Sequence, residues 1–413
     1  FEKHPMDRLV VGVGILAARV GFQADPGVTV TGQPQIGMGT AYPGFALTFN
    51  SYIVIDGFNI TNTGTKGIYA DSSNHITISN NHVTLAGASS TTHPYEQGIY
   101  LKSTTYSTIT GNTTDHNTCI GIRLLNNSDY NLVSNNVSFS NYSFVESDAA
   151  GIETTGSSYN TIINNITYSN EDSGINIYVN SSTGVQSTHN LVIGNLSYEN
   201  GDHGIDVNNS PYNTFIGNTV HGNGTTGINV EGEAITGSHD TTLINNISAG
   251  NGFEPPSGSY AGNLRVDTAS ITGTTIDYNL FYNNNPLNEL GHQSADYQIY
   301  WDSTSYTSLA AFQAAVPTQE QHGREGDPRF VAPVPSALRS TGSPYLGAGI
   351  VGNYYLNPGS PAIDSANSEA PSQPESDIDG NSRVDDPATA DTGAGVRTFD
   401  DRGAYEFLPL GQS

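Results

Sequence analysis

Side chains able to do chemistry are scarce in this chain and gather in a few places. The densest group is Glu171-Asp172-Ser173-Gly174-Ile175-Asn176, answered one repeat later by Gly201-Asp202-His203-Gly204-Ile205-Asp206. A histidine set between carboxylates can trade protons with a substrate. His203 is a candidate base for removing the proton beside a uronate carboxylate, with Arg123 or Arg265 neutralising that carboxylate. Glu153 and Asp206 offer a second chemistry. If repeats stack at about 4.8 Å, two repeats separate them by roughly 9 to 10 Å. That lies near the upper end of the spacing in inverting glycosidases, where one carboxyl protonates the leaving oxygen and the other activates water. Both chemistries require residues far apart in sequence to share one wall.

A repeat supplies the wall. Gly67-Ile68-Tyr69, Gly98-Ile99-Tyr100, Gly121-Ile122-Arg123, Gly151-Ile152-Glu153, Gly174-Ile175-Asn176, Gly204-Ile205-Asp206 and Gly227-Ile228-Asn229 recur at steps of 31, 23, 30, 23, 30 and 23 residues, with a degenerate Asn263-Leu264-Arg265 after them. A unit of this size with an insertion in alternate copies describes a solenoid carrying a loop on every second coil. Two asparagine columns keep the same register: Asn81, Asn112, Asn136, Asn165, Asn195, Asn218, Asn246 and Asn279, then Asn117, Asn141, Asn170, Asn200, Asn223, Asn251 and Asn284. Each unit reads as short alternating strands divided by Asn/Gly turns, too short for helices and without their period. The expected fold is therefore all-β, a right-handed parallel β-helix. Asparagines stacked at one turn can hydrogen-bond to the copies above and below while tolerating left-handed backbone angles, so the columns are assigned to structure and not to catalysis.

In a strand reading Gly-Ile-x-hydrophobic, Ile points inward and x outward. The x column runs Tyr69, Tyr100, Arg123, Glu153, Asn176, Asp206, Asn229, Arg265. Its aromatic and hydrogen-bonding groups suit the ring faces and hydroxyls of a sugar chain. Tyr69, Tyr100, Arg123, Asn176 and Asn229 are the expected substrate-binding residues, and His203, Asp206, Glu153 and Arg265 the expected catalytic ones. A plain solvated sheet face is the alternative.

Over roughly residues 50–285 these motifs resemble the parallel β-helix repeat superfamily of pectate-lyase-like and NosD-like secreted solenoids. The segment Asp202-His203-Gly204-Ile205-Asp206 resembles the Asp-Asp-Gly-Phe-Asp calcium loop of one pectate-lyase family, with His203 in place of the middle aspartate. The resemblance implies Ca2+ as cofactor, held by Asp172, Asp202 and Asp206. That family's base is a lysine on a later coil. Here no lysine follows Lys102, and Arg265 stands in the corresponding role.

The ends differ. Residues 1–40 are expected to form an N-terminal cap with a helix over Asp7 to Val20, residues 41–285 the β-helix, and residues 286–413 a C-terminal capping region, because open solenoid edges must be covered. Ser308 to Ala315 reads as a short helix and Asp327-Pro328-Arg329-Phe330 as a turn into a strand. The series Asp327-Pro328-Arg329-Phe330, Pro358-Gly359-Ser360-Pro361-Ala362-Ile363-Asp364 and Arg402-Gly403-Ala404-Tyr405-Glu406-Phe407 resembles the C-terminal segment of secreted bacterial β-helix proteins, implying export. Asp377-Ile378-Asp379-Gly380-Asn381 alternates oxygen ligands in the manner of a calcium loop, although Gly380 comes too early and Ala388 stands where a bidentate acid belongs.

Bulk composition narrows the partners. The 413 residues carry 13 Lys+Arg against 39 Asp+Glu, a formal charge of -26. Such a field repels nucleic acid and anionic lipid, and admits a polyanionic glycan only through a local basic patch or a bridging cation. The single Cys119 excludes a disulfide framework and reads as a small buried hydrophobe. No stretch is long and apolar enough to span a bilayer. The expected function is thus a secreted or cell-surface enzyme acting on a polysaccharide, by elimination ahead of hydrolysis or epimerisation. The alternative is a non-catalytic adhesive or structural solenoid, monomeric or assembling end to end.

Overall fold

Each Gly-Ile segment of the repeat, from Gly67 to Gly227, becomes a strand of one parallel sheet, because β-branched residues alternating with polar ones fit a pleated surface with one buried side. The strands include Ile68–Asp71, Ile99–Lys102, Ile122–Leu125, Ile152–Thr155, Ile175–Tyr178, Ile205–Asn208, Thr226–Glu231 and Gly262–Val266. The computed structural model describes residues 20–23, 29–31, 42–88, 96–143, 148–232, 236–252, 261–283, 297–334 and 350–409. The helix expected over Asp7 to Val20 lies outside them, except that Val20 opens a strand, Val20–Gln23.

Three sheets of 11, 10 and 11 strands form the described solenoid, and each strand pairs in parallel with its copy one coil on, except that sheet 1 ends in an antiparallel hairpin of Tyr297–Trp301 with Thr304–Tyr306. Sheet 1 carries the Gly-Ile strands; sheet 2 (such as Thr161–Ile163) and sheet 3 (such as Ile166–Tyr168) complete each coil. The pairing begins at Val20–Gln23 and reaches Arg324–Glu325, so coiling extends on both sides of residues 41–285. Register places Tyr69 opposite Tyr100, Tyr100 opposite Arg123, Arg123 opposite Glu153, Glu153 opposite Asn176, Asn176 opposite Asp206, Asp206 opposite Asn229, and Asn229 opposite Arg265. Inside run stacked apolar rows, among them Ile152, Ile175, Ile205 and Ile228. The motif glycine is needed where coils approach closely: a Cβ on Gly174 would sit 1.9 Å from Ser197 Oγ.

The asparagine columns form continuous ladders. Asn136 Nδ2 donates to Asn165 Oδ1 at 2.9 Å, and Asn165 Nδ2 donates to Asn195 Oδ1 at 3.0 Å. The same oxygens accept the backbone N–H of the coil before. The left-handed residue is not the ladder asparagine but the one before it, as at Asn80, Asn135, Asn164 and Asn245 and at Gly111, Gly194 and Gly217. The ladders end in longer acceptors: Asn279 Nδ2 donates to Glu320 Oε1 at 2.6 Å, and Asn263 Nδ2 to Gln298 Oε1 at 2.6 Å.

The C-terminal region divides into two parts. Helix α1 (Leu309–Ala315), capped by Ser308 Oγ on the Ala311 amide, lays Leu309 and Phe312 over the end of the core beside Trp301. Residues 330–334 and 350–409 do not cover an end. They clad the outside of sheet 3, where Phe330, Tyr354, Leu356, Ile363 and Tyr405 share an apolar cluster with Tyr168, Tyr198, Ile247 and Leu280. Arg402, 1% exposed, pins this cladding by donating to the carbonyls of Ser365, Asn279 and His322 at 2.8–2.9 Å. Cys119 is buried, and burial raises its thiol to about 12.

Candidate active site

The x column faces away from the apolar core, as expected, but its middle is not a solvated face. Glu153 is 1% exposed, Asp206 3%, and Asn176 and Asn229 are fully buried. Sheet 1 therefore carries a sequestered polar seam, and every group in it must find partners.

A second outward column stands beside the first, two residues further along each strand: Asp71, Lys102, Leu125, Thr155, Tyr178, Asn208 and Glu231 are mutual neighbours in register. The same period of two that picks out Asn176 and Asn229 also picks out Tyr178 and Glu231, which reasoning from the x position alone passed over.

The seam holds two separate clusters. In the first, Arg123 Nε meets Glu153 Oε1 at 2.9 Å, and Thr155 Oγ1 donates to the same carboxylate oxygen. Tyr100 stacks on Tyr69 at 5.4 Å, and Lys66 Nζ sits over the Tyr100 ring. Burial raises Tyr100 to about 12.

The second cluster centres on Asn229. Arg265 Nη1 donates to Asn229 Oδ1 at 2.8 Å, which fixes the amide so that Nδ2 donates to Asp206 Oδ1 at 2.8 Å and lies 3.3 Å from His203 Nε2. Tyr178 donates its phenol hydrogen to the other oxygen of Asp206 at 2.6 Å. Arg265 also pairs with Glu231 and lies over the Tyr300 ring. His203 Nδ1 accepts the Thr226 amide at 3.1 Å and lies 2.7 Å from Thr225 Oγ1, which donates to Asp202.

Electrostatics tune this cluster toward neutrality. Burial pushes Asp206 up to about 6, with Glu231 and Asp202 adding to the rise and His203 opposing it. Burial alone would lower His203, but Asp202, Asp206 and Glu231 outweigh it and raise the imidazole above its ordinary value. Glu231 is lowered because Arg265 overcomes the effect of burial. A carboxyl raised to about 6 and an imidazole raised above its ordinary value, both within reach of the Asn229 Nδ2 atom, form an acid–base couple.

Several expected roles change with these positions. His203 is not exposed; only 13% of its side chain meets solvent. Glu153 and Asp206 stand two coils apart with Asn176 between them, and Glu153 is committed to Arg123, so it does not face a water across from Asp206. Neither arginine stands free for a substrate carboxylate, since each already holds an acid. The oxygens of Asp172, Asp202 and Asp206 do not converge as a cation cage among the described residues. Asp172 accepts from Asn176 Nδ2, Asp202 from Thr225, and Asp206 from Tyr178 and Asn229. Those donors do not fit an ion. In the Asp377 turn the carboxylate accepts the Asp379, Asn381 and Glu406 amides, the pattern of a polar turn.

Comparison with known proteins places the architecture. Among solved structures the chain is similar to pectate lyase Pel9A, at 17% identity and a TM-score of 0.52 over 94% of this chain and 88% of that one. It is also similar to the A-module of the Azotobacter vinelandii mannuronan C-5 epimerase AlgE4, at 16% identity and a TM-score of 0.43 over 68% and 80%. At such identities the likeness is one of fold. No curated protein matches the chain. The family described as "Right handed beta helix region" matches residues 43–198 and 138–262, which together exceed half the sequence. Stacked Gly-Ile strands, asparagine ladders in register and this match lead to one assignment: the chain belongs to the right-handed parallel β-helix family.

Proposed function

We propose that this protein is an exported enzyme that acts on a polysaccharide at the sheet 1 seam, by proton transfer at the His203/Asp206 couple. The observation that carries the reading is the Asn229-centred cluster, which gathers His203 and Asp206 around one amide, with Asp206 raised to about 6 and His203 raised above its ordinary value. In an elimination one member takes the proton beside a uronate carboxylate, the glycosidic C–O bond breaks, a C=C bond forms, and the other member protonates the departing oxygen. Two-carboxylate hydrolysis is less favoured because Glu153 is locked to Arg123. Arg265 and Glu231 act as positioning residues that hold the Asn229 amide.

Charge distribution supports the location. Between residues 41 and 285 the only Lys and Arg are Lys66, Lys102, Arg123 and Arg265. All four lie on sheet 1 or over its outward side chains, each matched to an acid: Glu96, Asp71, Glu153 and Glu231. In a chain of charge -26 the face that gathers these four cations opposes a polyanionic glycan less than coils without any. Fold kinship with a pectate lyase is compatible with the reading.

Incubation with a panel of uronate and neutral polysaccharides tests it. Unsaturated ends are expected on a uronate polymer, reduced by about 100-fold or more in Asp206→Asn and in His203→Gln. Absence of product on every polymer defeats the enzyme reading, and undiminished product from both variants defeats the assignment of the chemistry to the His203/Asp206 couple and leaves the seam structural.

A further inference from the structure

Away from sheet 1, the cladding brings three carboxylates from separate stretches of chain to one point. Ligand oxygens of Asp364, Asp385 and Asp391 all lie within 4.8 Å of one another. Asp364 is held at the base of the group: its side chain is fully buried, its amide donates to Asp401 Oδ1 at 2.7 Å, and its carbonyl accepts both the Thr392 amide at 2.8 Å and Thr392 Oγ1 at 3.0 Å. Those last two bonds tie the Asp391 stretch to it. The Asp386 amide approaches Asp364 Oδ1 at 3.4 Å, which ties in the Asp385 stretch. Asp385 and Asp391 lie on the exposed side.

Two observations separate this group from an ordinary acidic surface. Asp364 Oδ2 is a buried oxygen with no hydrogen-bond donor. A buried acceptor without a partner is rare and costly, and a missing ion is one of its few explanations. Moreover, none of the three acids forms an ion pair with a lysine, arginine or histidine among the described residues. Burial, together with Asp385, Asp391 and Asp386, pushes Asp364 up to about 7.

We infer that Asp364, Asp385 and Asp391 form a calcium site that locks the C-terminal cladding. All-oxygen, carboxylate-rich donors select a hard cation, and calcium accepts ligands at about 2.3–2.6 Å in irregular geometry. Oxygens that all lie within 4.8 Å of one another can share one such ion, and a set of three acids drawn from turns, two of them exposed, suits the adaptable geometry of calcium better than the strict octahedron of magnesium. Asp364 supplies the buried oxygen, and Asp385 and Asp391 close the site from the solvent side.

Calorimetric titration of the full chain with CaCl2, after removal of metal by chelator, tests the assignment, with unfolding temperature followed in parallel. One calcium is expected per chain, with an unfolding temperature higher in calcium than in chelator. Affinity should fall at least 10-fold in Asp364→Asn and in Asp391→Asn. Asp391 is exposed, so its variant should fold as the parent does and keep the test clear of misfolding. Asp206→Asn should bind as the parent, which separates this site from the sheet 1 seam. Unchanged affinity in Asp391→Asn, calcium lost only in Asp206→Asn, no calcium binding, or an equal response to magnesium would each overturn the inference.

Discussion

At the scale of single residues, the seam shows why chemical identity in the sequence did not translate directly into role. Arg123 and Arg265 are two of the four Lys and Arg between residues 41 and 285, and each is consumed by an acid that the stacking places against it. What remains is the His203/Asp206 couple, and its titration gives a testable profile. With Asp206 raised to about 6 as the base, activity should climb as pH rises through about 6 and ionises the carboxyl. With His203 raised above its ordinary value as the acid, activity should decline again once the imidazole loses its proton. The expected curve is a bell whose limbs belong to the coupled cluster. Asn229→Ala, which removes the link between the two, should move both limbs as well as lower the rate. A profile that keeps its limbs in that variant would mean that the amide does not couple them.

At the scale of elements, the repeat was legible because it is written three times over, in Gly-Ile strands and two asparagine columns. The burial of the seam was not legible, since the period of a strand reports which side faces away from the core and not what lies over it. Likewise, Tyr52, His75, Tyr106, Tyr130, Tyr159, His189 and Tyr212 stack face to face along one turn at 4.7 to 5.7 Å, yet their spacing follows the same loops and was hidden among the other columns. The ladders carry two predictions. Asn165→Ala strips the Asn136 amide and the Val133 carbonyl of a partner. It should cost on the order of 1–3 kcal/mol for each group left unsatisfied, seen as a lower unfolding temperature; an unchanged one would show that water replaces the ladder. Glu320, which ends a ladder, is raised by burial to about 8 from an ordinary value near 4.5. A carboxyl whose folded value is raised stabilises the fold at low pH, and that stabilisation is lost as pH rises from about 4.5 through about 8. Unfolding followed across that window should show the loss in the parent and a flatter response in Glu320→Gln.

At the scale of the whole molecule, the C-terminal third was legible as a distinct segment but not as cladding. Solenoid logic demands end caps, and among the described residues helix α1 with Trp301 meets that demand at this end. Residues 330–334 and 350–409 spread over sheet 3 because Tyr168 and Tyr198 present an apolar stripe there that needs cover as much as an open end does. Arg402 is the joint: buried, with its guanidinium lowered to about 9 chiefly by burial, it satisfies carbonyls on the coil side (Asn279), on the cladding (Ser365) and on the linking stretch (His322). Arg402→Gln shortens that reach and takes this donor from the Ser365 and His322 carbonyls, while removing nothing from the side-chain ladders or the inner rows. Limited proteolysis should then cut residues 350–409 faster than in the parent, with the far-ultraviolet signature of the coils retained and product formation at sheet 1 preserved. If the coils were digested together with the cladding, at one common rate, the two would constitute a single cooperative unit and the notion of a separable covering layer would fail.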